Sequence, residues 1–137
     1  MNAAFYKAHQ CVGDGWTRQL VNHFLTVVEC GAPDADILQI KEKFGTLRIY
    51  LSGPEWLEEL AVMYERLSEV CCEDCGVWHG QYDERKGTGP LRESHYAIVS
   101  TGPLPSQGWI KTLCTVCRDQ RQAEWDLKAK DRSGDVA

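Results

Sequence analysis

The sequence lacks the long apolar run that a membrane-spanning helix requires. No stretch of its 137 residues approaches the ~20 consecutive apolar residues that cross a bilayer. The opening residues, MNAAFYKAHQCVGDGW, have neither the basic start nor the apolar core of a secretory signal. We therefore expect a cytoplasmic protein, made in a reducing compartment and without a membrane partner.

Basic charge is scarce as well. The formal net charge is −5, and residues 55–75 carry seven carboxylates against a single basic residue, Arg66. Phosphate binding depends on clustered lysine and arginine, so nucleic acid is the less favoured partner. The acidic run has two interpretations: a solvated helix face, or a surface around Glu58 and Glu59 that is offered to a basic partner.

Catalytic motifs are missing from the chain. No Ser-His-Asp or Cys-His arrangement has local sequence support, and no glycine-rich loop has the spacing of a phosphate cradle. The four histidines are scattered along the chain, at His9, His23, His79 and His95. We therefore expect a protein that is not an enzyme.

Cysteine is the residue that the chain does have in quantity. Seven cysteines cannot all pair within one chain, and a reducing compartment disfavours a disulfide framework. The pairs Cys72-x-x-Cys75 and Cys114-x-x-Cys117 fit a four-thiolate zinc site, because two-residue spacing lets one tight turn direct two sulfurs at one ion. These four cysteines are predicted to bind one structural Zn²⁺.

Two features leave alternatives to this ligand set. The cysteine pairs are separated by 38 residues, against ~15–20 in the common zinc pattern, and Cys71, His79 and His95 are available as substitute ligands. A thioredoxin-like redox motif is the other alternative. That motif follows a strand and opens a helix, whereas VCCEDCGVW follows a helical pattern and precedes turn residues.

Hydrophobic periodicity predicts an α+β fold. Apolar residues at helical spacing around Trp16 to Val28 and Leu57 to Leu67 predict two helices, and alternation between them predicts a β-hairpin with its turn near Phe44 and Gly45. Short strands and a closing helix follow. The apolar face of the hairpin, which the helices are expected to cover, is assigned to Leu38, Ile40, Leu47 and Ile49.

The predicted organisation has three parts. A helix–hairpin–helix unit occupies residues 1–70, and a zinc-ribbon-like lobe occupies 71–118 and carries a long insert at 79–106. A C-terminal helix and tail occupy 119–137.

Two further surfaces are candidates for binding. Alternation places two lysines on one face of the hairpin, beside an arginine and a tyrosine of the return strand, and this set suits either a solvated sheet face or an anion site: Lys41, Lys43, Arg48 and Tyr50. The insert region carries aromatic residues among prolines and glycines. Trp78 and Tyr82 have two interpretations: they anchor an interface with a partner, or they pack beneath the ribbon.

The succession GDGW, ILQIKEKFGTLRIYLSG, CEDCG and GWIKTLCTVC resembles a family of small proteins from bacteriophages and bacterial genomes. The family pattern runs GxGW…KEKFGxLRxY…CxxCG…GWxxTLCxxC, covers residues 13–118, and has KEKFGTLR as its most specific element. The resemblance implies this fold outline and a phage or prophage origin, but no activity. The insert at 79–106 departs from the pattern.

Three functional hypotheses follow. The first is a zinc-stabilised interaction protein that binds and inhibits or modulates a host protein complex, such as a bacterial defence system. The second is a nucleic-acid-binding zinc ribbon in transcription or DNA processing. The third is a nucleotide or small-anion binder that uses Lys41, Lys43 and Arg48.

Overall fold

The computed structural model describes residues 12–82, 95–101 and 110–132. The elements in chain order are α1 (Asp14–Trp16), a π-helical turn (Thr17–Val21), α2 (Asn22–Gly31), β1 (Asp36–Lys43), β2 (Thr46–Ser52), α3 (Glu55–Leu67), a 3₁₀ turn (Ser68–Val70), β3 (Ile98–Ser100), β4 (Thr112–Cys114) and α4 (Thr115–Arg132). Most of the predicted insert and the tail after residue 132 lie outside the described residues. Within the described ranges, no helix combines the length and apolar character that crossing a membrane requires.

The fold is α+β, as predicted. β1 and β2 form an antiparallel hairpin, and β3 and β4 form a second antiparallel pair. The helical segment from Asp14 to Gly31 and α3 bury their apolar faces with the hairpin in one main core. The largest fully buried apolar side chains of this core are Trp16, Phe24, Leu20, Leu25, Ile37, Ile40, Leu47 and Leu57.

The prediction for the apolar face of the hairpin is wrong at one position. Leu38 is 62% exposed, and its neighbour Ile37 is buried beside Ile40. The register between β1 and β2 shifts between Ile37 and Gln39, so β1 contains a bulge. A bulge adds one residue to one strand and reverses the facing of the residues on one side of it. Simple alternation therefore fails at Leu38, whereas Ile40, Leu47 and Ile49 are buried as expected.

Side chains from the end of α3 bind the outer edge of β2. The amide of Leu47 donates to Ser68 Oγ at 3.0 Å, and the amide of Ile49 donates to Glu65 Oε2 at 2.8 Å. Unpaired amides on an edge strand attract further strands unless they are covered. Glu65 of α3 and Ser68 of the following 3₁₀ turn thus satisfy these two amides and fix the end of α3 against the hairpin.

The hairpin turn packs on the second sheet. Phe44 and Gly45 both have positive φ, 53° and 80°, as a tight hairpin turn requires. The Glu42 carboxylate accepts a hydrogen bond from the Gly45 amide at 2.8 Å, and the Gly45 carbonyl accepts one from the hydroxyl of Thr112 in β4. The KEKFG motif therefore shapes the turn and attaches it to β4.

The start of the first helical segment is attached to the loop of the first cysteine pair. The amide of Gly15 donates to the carbonyl of Glu73 at 2.8 Å, and the Trp16 indole Nε1 donates to the carbonyl of Cys71 at 2.8 Å. A Cβ at Gly15 would overlap the Gly76 amide nitrogen and the Cys72 carbonyl oxygen. Glycine in the GDGW motif is therefore a consequence of close backbone approach.

Gly15→Ala is expected to lower the free energy of unfolding by about 2–3 kcal/mol, because the added methyl group meets rigid backbone that can only move away. Gly31→Ala is the matched control on the same helical segment, since its Cβ meets only the Trp56 side chain, at 3.2 Å. Chemical denaturation of both variants tests the expectation. Equal stability of the two variants would contradict it.

Candidate metal centre

The first cysteine pair lies on a tight turn after the 3₁₀ turn. The Cys72 amide donates to the Val77 carbonyl at 2.9 Å, and the Gly76 amide donates back to the Cys72 carbonyl at 3.0 Å. Gly76 has a φ of 82°, which side chains rarely allow. This conformation turns the chain back on itself and brings the sulfurs of Cys72 and Cys75 together.

The second pair lies where β4 passes into α4. Cys114 is the last residue of β4, Cys117 lies in the first turn of α4, and the Cys117 amide lies 3.4 Å from the Cys114 sulfur. The Glu73 amide donates to the carbonyl of Thr112 at 3.0 Å, which joins the first turn to β4. Backbone hydrogen bonds therefore hold the two cysteine pairs against each other.

The sulfurs of Cys72, Cys75, Cys114 and Cys117 all lie within 4.8 Å of one another. The Cys75 and Cys114 sulfurs are 3.7 Å apart, far beyond the ~2.05 Å of a disulfide bond. A tetrahedral ion with metal–sulfur bonds of ~2.3 Å places its ligands about 3.8 Å apart. The separation fits a shared metal ion, and the two cysteine pairs form one zinc-ribbon-like site.

The three candidate substitute ligands, Cys71, His79 and His95, are not part of the four-cysteine cluster. The Cys71 sulfur lies 3.6 Å from the Gly76 carbonyl, and the His79 Nδ1 accepts a hydrogen bond from the Ile98 amide at 3.2 Å. The His95 ring packs edge-on against Tyr82. All six cysteines of the described ranges are free thiols. The second pair does sit at a strand–helix junction, as a redox motif would, but its sulfurs converge with those of the first pair.

Two ion pairs surround the four cysteines, both using the acidic residues between Cys72 and Cys75. Glu73 is 2% exposed and pairs with the buried Lys111, whose Nζ lies 3.3 Å from Glu73 Oε1. Asp74 accepts two hydrogen bonds from Arg121 of α4, at 2.6 and 2.7 Å. Each cation neutralises the carboxylate that it contacts, so neither acidic residue adds an unpaired negative charge beside the four cysteines.

Burial controls the protonation of the metal-free thiols. Burial raises the pKa of Cys75 to about 11, and Coulombic repulsion from Cys72 adds to this rise. Burial raises the pKa of Cys117 further still. Burial acts in the same direction on Cys72, but hydrogen bonds from backbone amides outweigh it and lower the pKa of that thiol. Burial also raises the pKa of Cys71 to about 12, which keeps this residue a neutral thiol.

Metal affinity is expected to rise steeply with pH. Cys75 and Cys117 carry protons at neutral pH in the metal-free protein, and a metal ion binds thiolates, so binding releases protons. The logarithm of the association constant should climb by at least about two per pH unit between about pH 6 and pH 8, because each of these two thiols releases one proton. Competition with a metal indicator, corrected for the indicator's own titration, measures this slope. A pH-independent constant would contradict the expectation, and Cys71→Ser should leave the slope unchanged.

The other predicted binding residues are distributed over the surface. Trp78 is half-buried against the main core, whereas Tyr82 is 49% exposed. Glu58 and Glu59 are exposed on α3. Lys41 lies opposite Arg48 in the register of the two strands. The Lys41 Nζ lies 5.7 Å from the ring centre of Tyr50. The Nζ of Lys43 lies over the ring of Phe44 instead.

Neither Lys111 nor Gly15 is predicted by the sequence patterns to be part of this centre. Lys111 immediately precedes the TLC segment in a mostly apolar context, WIKTLC, and a lysine in such a context is a signal for a buried partner.

Comparison of the chain with protein-family models, curated proteins and solved structures found no match.

Proposed function

We propose that this protein is a non-enzymatic interaction protein whose fold is held together by one structural zinc ion. The observation that carries the proposal is the convergence of four cysteine sulfurs, three of them buried, within 4.8 Å. Four thiolates complete a tetrahedral shell and leave no position for a water molecule or a substrate, whereas catalytic zinc keeps one position open. The ion therefore stabilises the fold and takes no part in a reaction.

Zinc is the proposed ion because a tetrahedral set of four thiolates suits zinc, with iron as the competing metal. Elemental analysis of protein purified without chelators is expected to give one zinc per chain. Less than half a zinc per chain would count against the proposal. A coloured protein that contains iron would point to the competing metal.

The proposed partner is a host protein or protein complex in the bacterial cytoplasm, which a phage-encoded protein would inhibit or modulate; a defence system is one such target. The resemblance to phage and prophage proteins supports this origin. An exposed aromatic side chain supports the binding mode: Tyr82 is half exposed, and its ring lies edge-on to the ring of His95. Aromatic side chains held in this way are frequent anchors of protein interfaces.

Affinity capture from a bacterial lysate, compared between variants, tests the partner proposal. Tyr82→Ala is expected to reduce capture of a specific protein at least tenfold while zinc content and melting temperature stay unchanged. Reversal of charge at Glu58 and Glu59 should slow capture mainly at low salt. Trp78→Ala is a less selective probe because Trp78 packs on the main core. Capture that is identical for all variants would contradict the proposed surface.

A second candidate function is anion binding by the outer face of the hairpin. Cross-strand pairing brings Lys41 beside Arg48, with Tyr50 under the lysine ammonium. This arrangement suits a phosphate or carboxylate group. Nucleotides and inorganic phosphate should then raise the melting temperature of the native protein but not of Lys41→Ala/Arg48→Ala. A gel shift with duplex and single-stranded DNA separates this candidate from nucleic-acid binding.

A further inference from the structure

Helix α3 carries an apolar stripe that faces solvent. Its members are Trp56, Leu60, Met63 and Leu67, at intervals of four, three and four residues. Leu60 is half-buried, Met63 is 58% exposed, and Trp56 and Leu67 are 45% and 40% exposed. The residues that α3 turns to the main core, Leu57 and Ala61, lie on a different side of the helix. Leu60 also packs against the main core with its inner side, and Trp56 lies over Gly31, but all four members keep solvent-accessible surface that the fold does not cover.

The spacing of the stripe is that of a helix-pairing seam. Apolar residues that alternate at intervals of four and three form a straight line along a helix when two helices wind around each other. Stripes of this kind on a soluble protein mark interaction sites, whereas singly scattered apolar residues do not. The four residues span about three turns, or roughly 16 Å of helix.

The charges beside the stripe indicate which helix pairs with it. Glu59 precedes Leu60, and Arg66 precedes Leu67, so the two charged residues flank the stripe on the same side. In the described part of the chain, neither side chain has an ion-pair partner among the salt bridges of the structure. One flank of the stripe therefore carries one acidic and one basic side chain, seven residues apart.

We propose that this stripe joins two copies of the chain through an antiparallel α3–α3 pair about a two-fold axis. One antiparallel register gives every apolar member an apolar neighbour, with Leu60 against Met63 of the second copy and Trp56 against its Leu67. The same register places Glu59 opposite Arg66 of the second copy, and the two-fold axis repeats this pair. The apolar stripe and the flanking charges of one copy are therefore complementary to those of a second copy.

A parallel pair does not use these charges. In a parallel arrangement, the flanking positions of one helix face the opposite flank of the other. On α3 that opposite flank consists of Leu57 and Tyr64, which pack on the protein's own core. Glu59 and Arg66 would then meet no opposite charge. The antiparallel two-fold arrangement is the one that pairs both.

Sedimentation equilibrium of the metal-loaded full chain tests the proposal. A dimer with a dissociation constant on the order of tens of micromolar is expected, because three to four turns of helix bury less than the ~800 Å² per partner of a standard interface. Met63→Glu should weaken dimerisation at least thirtyfold, since it removes an apolar contact and buries a carboxylate. Its melting temperature, measured at a concentration where the native chain is monomeric, should stay close to that of the native protein.

Charge exchange tests the orientation. Glu59→Arg alone and Arg66→Glu alone should each weaken dimerisation roughly five- to tenfold, because each opposes like charges twice. The double variant Glu59→Arg/Arg66→Glu should restore the native constant. Glu58→Arg makes the same change of charge on the side of α3 away from the stripe and should have little effect.

Three results would overturn the proposal. The first is a chain that stays monomeric at about 1 mM, well above the expected constant. The second is a dimer that Met63→Glu leaves intact, which would place the contact elsewhere. The third is a double variant no better than the single ones, which would exclude the antiparallel register. Glu59 enters both proposals, but Tyr82→Ala leaves α3 unchanged, so lysate capture with this variant tests the partner proposal independently of the dimer.

Discussion

Cys117→Ser is expected to abolish stoichiometric metal binding and to unfold at least the ribbon around residues 71–118; Cys72→Ser should do the same. The apparent binding free energy of a structural zinc ion is about 10–16 kcal/mol, comparable with the 5–15 kcal/mol total stability of a typical domain. The ribbon has a small core of its own, and the four clustered cysteines make up much of it. Loss of the ion therefore removes most of the free energy that keeps the ribbon folded.

The effect should extend to the helix–hairpin–helix unit, because Gly15 and Trp16 bind the backbone of the first cysteine turn and Gly45 binds Thr112. Metal analysis and amide hydrogen exchange measure both consequences. Cys30→Ser, at an exposed cysteine, is the matched control and should retain one metal per chain. Retention of a full metal equivalent by Cys117→Ser would show that another residue completes the shell.

Lys111→Met is expected to lower the free energy of unfolding by about 3–5 kcal/mol, the usual cost of removing one partner from a buried ion pair. Glu73 would remain buried with its carboxylate deprived of the cation that lies 3.3 and 3.4 Å from its two oxygens. The amide of Gly13, 3.1 Å from Oε2, is too weak a partner to replace it. Chemical denaturation at constant metal saturation measures the loss.

The double variant Glu73→Gln/Lys111→Met separates the pair from its surroundings. It should be more stable than Lys111→Met alone, because no uncompensated charge remains buried. Asp119→Asn, which breaks the exposed pair with Arg118, is the surface control and should change stability by less than about 0.5 kcal/mol. A cost of less than about 1 kcal/mol for Lys111→Met would show that Glu73 takes up a proton or that water or another group solvates it, since burial already raises the pKa of Glu73.

Element types and the set of four clustered cysteines could be predicted because their signals are local. Two residues between paired cysteines already constrain both sulfurs to one turn, so Cys72 and Cys75 could be assigned without knowledge of the fold. The helical and alternating periods likewise indicated α3 and the two strands of the hairpin. The mixed α+β class follows from these patterns alone.

Leu38 shows where local reasoning stops. Alternation assigns it to the core, but the bulge next to it exposes 62% of its surface. A bulge depends on how two strands pair and on what the hairpin packs against, and neither is encoded in the alternation of one strand. The choice among Cys71, His79 and His95 as substitute ligands had the same limitation, since it depends on which atoms meet in space.

The sequence by itself thus determined which segments are helical or extended and which four sulfurs can share an ion, because those properties depend on neighbours within a few residues. Only the tertiary structure decided that Glu73 pairs with Lys111, 38 residues further along the chain, and that Gly15 must lack a side chain. Such contacts depend on the packing of whole elements against one another. Burial then makes each of them costly to lose, because no water can replace the missing partner.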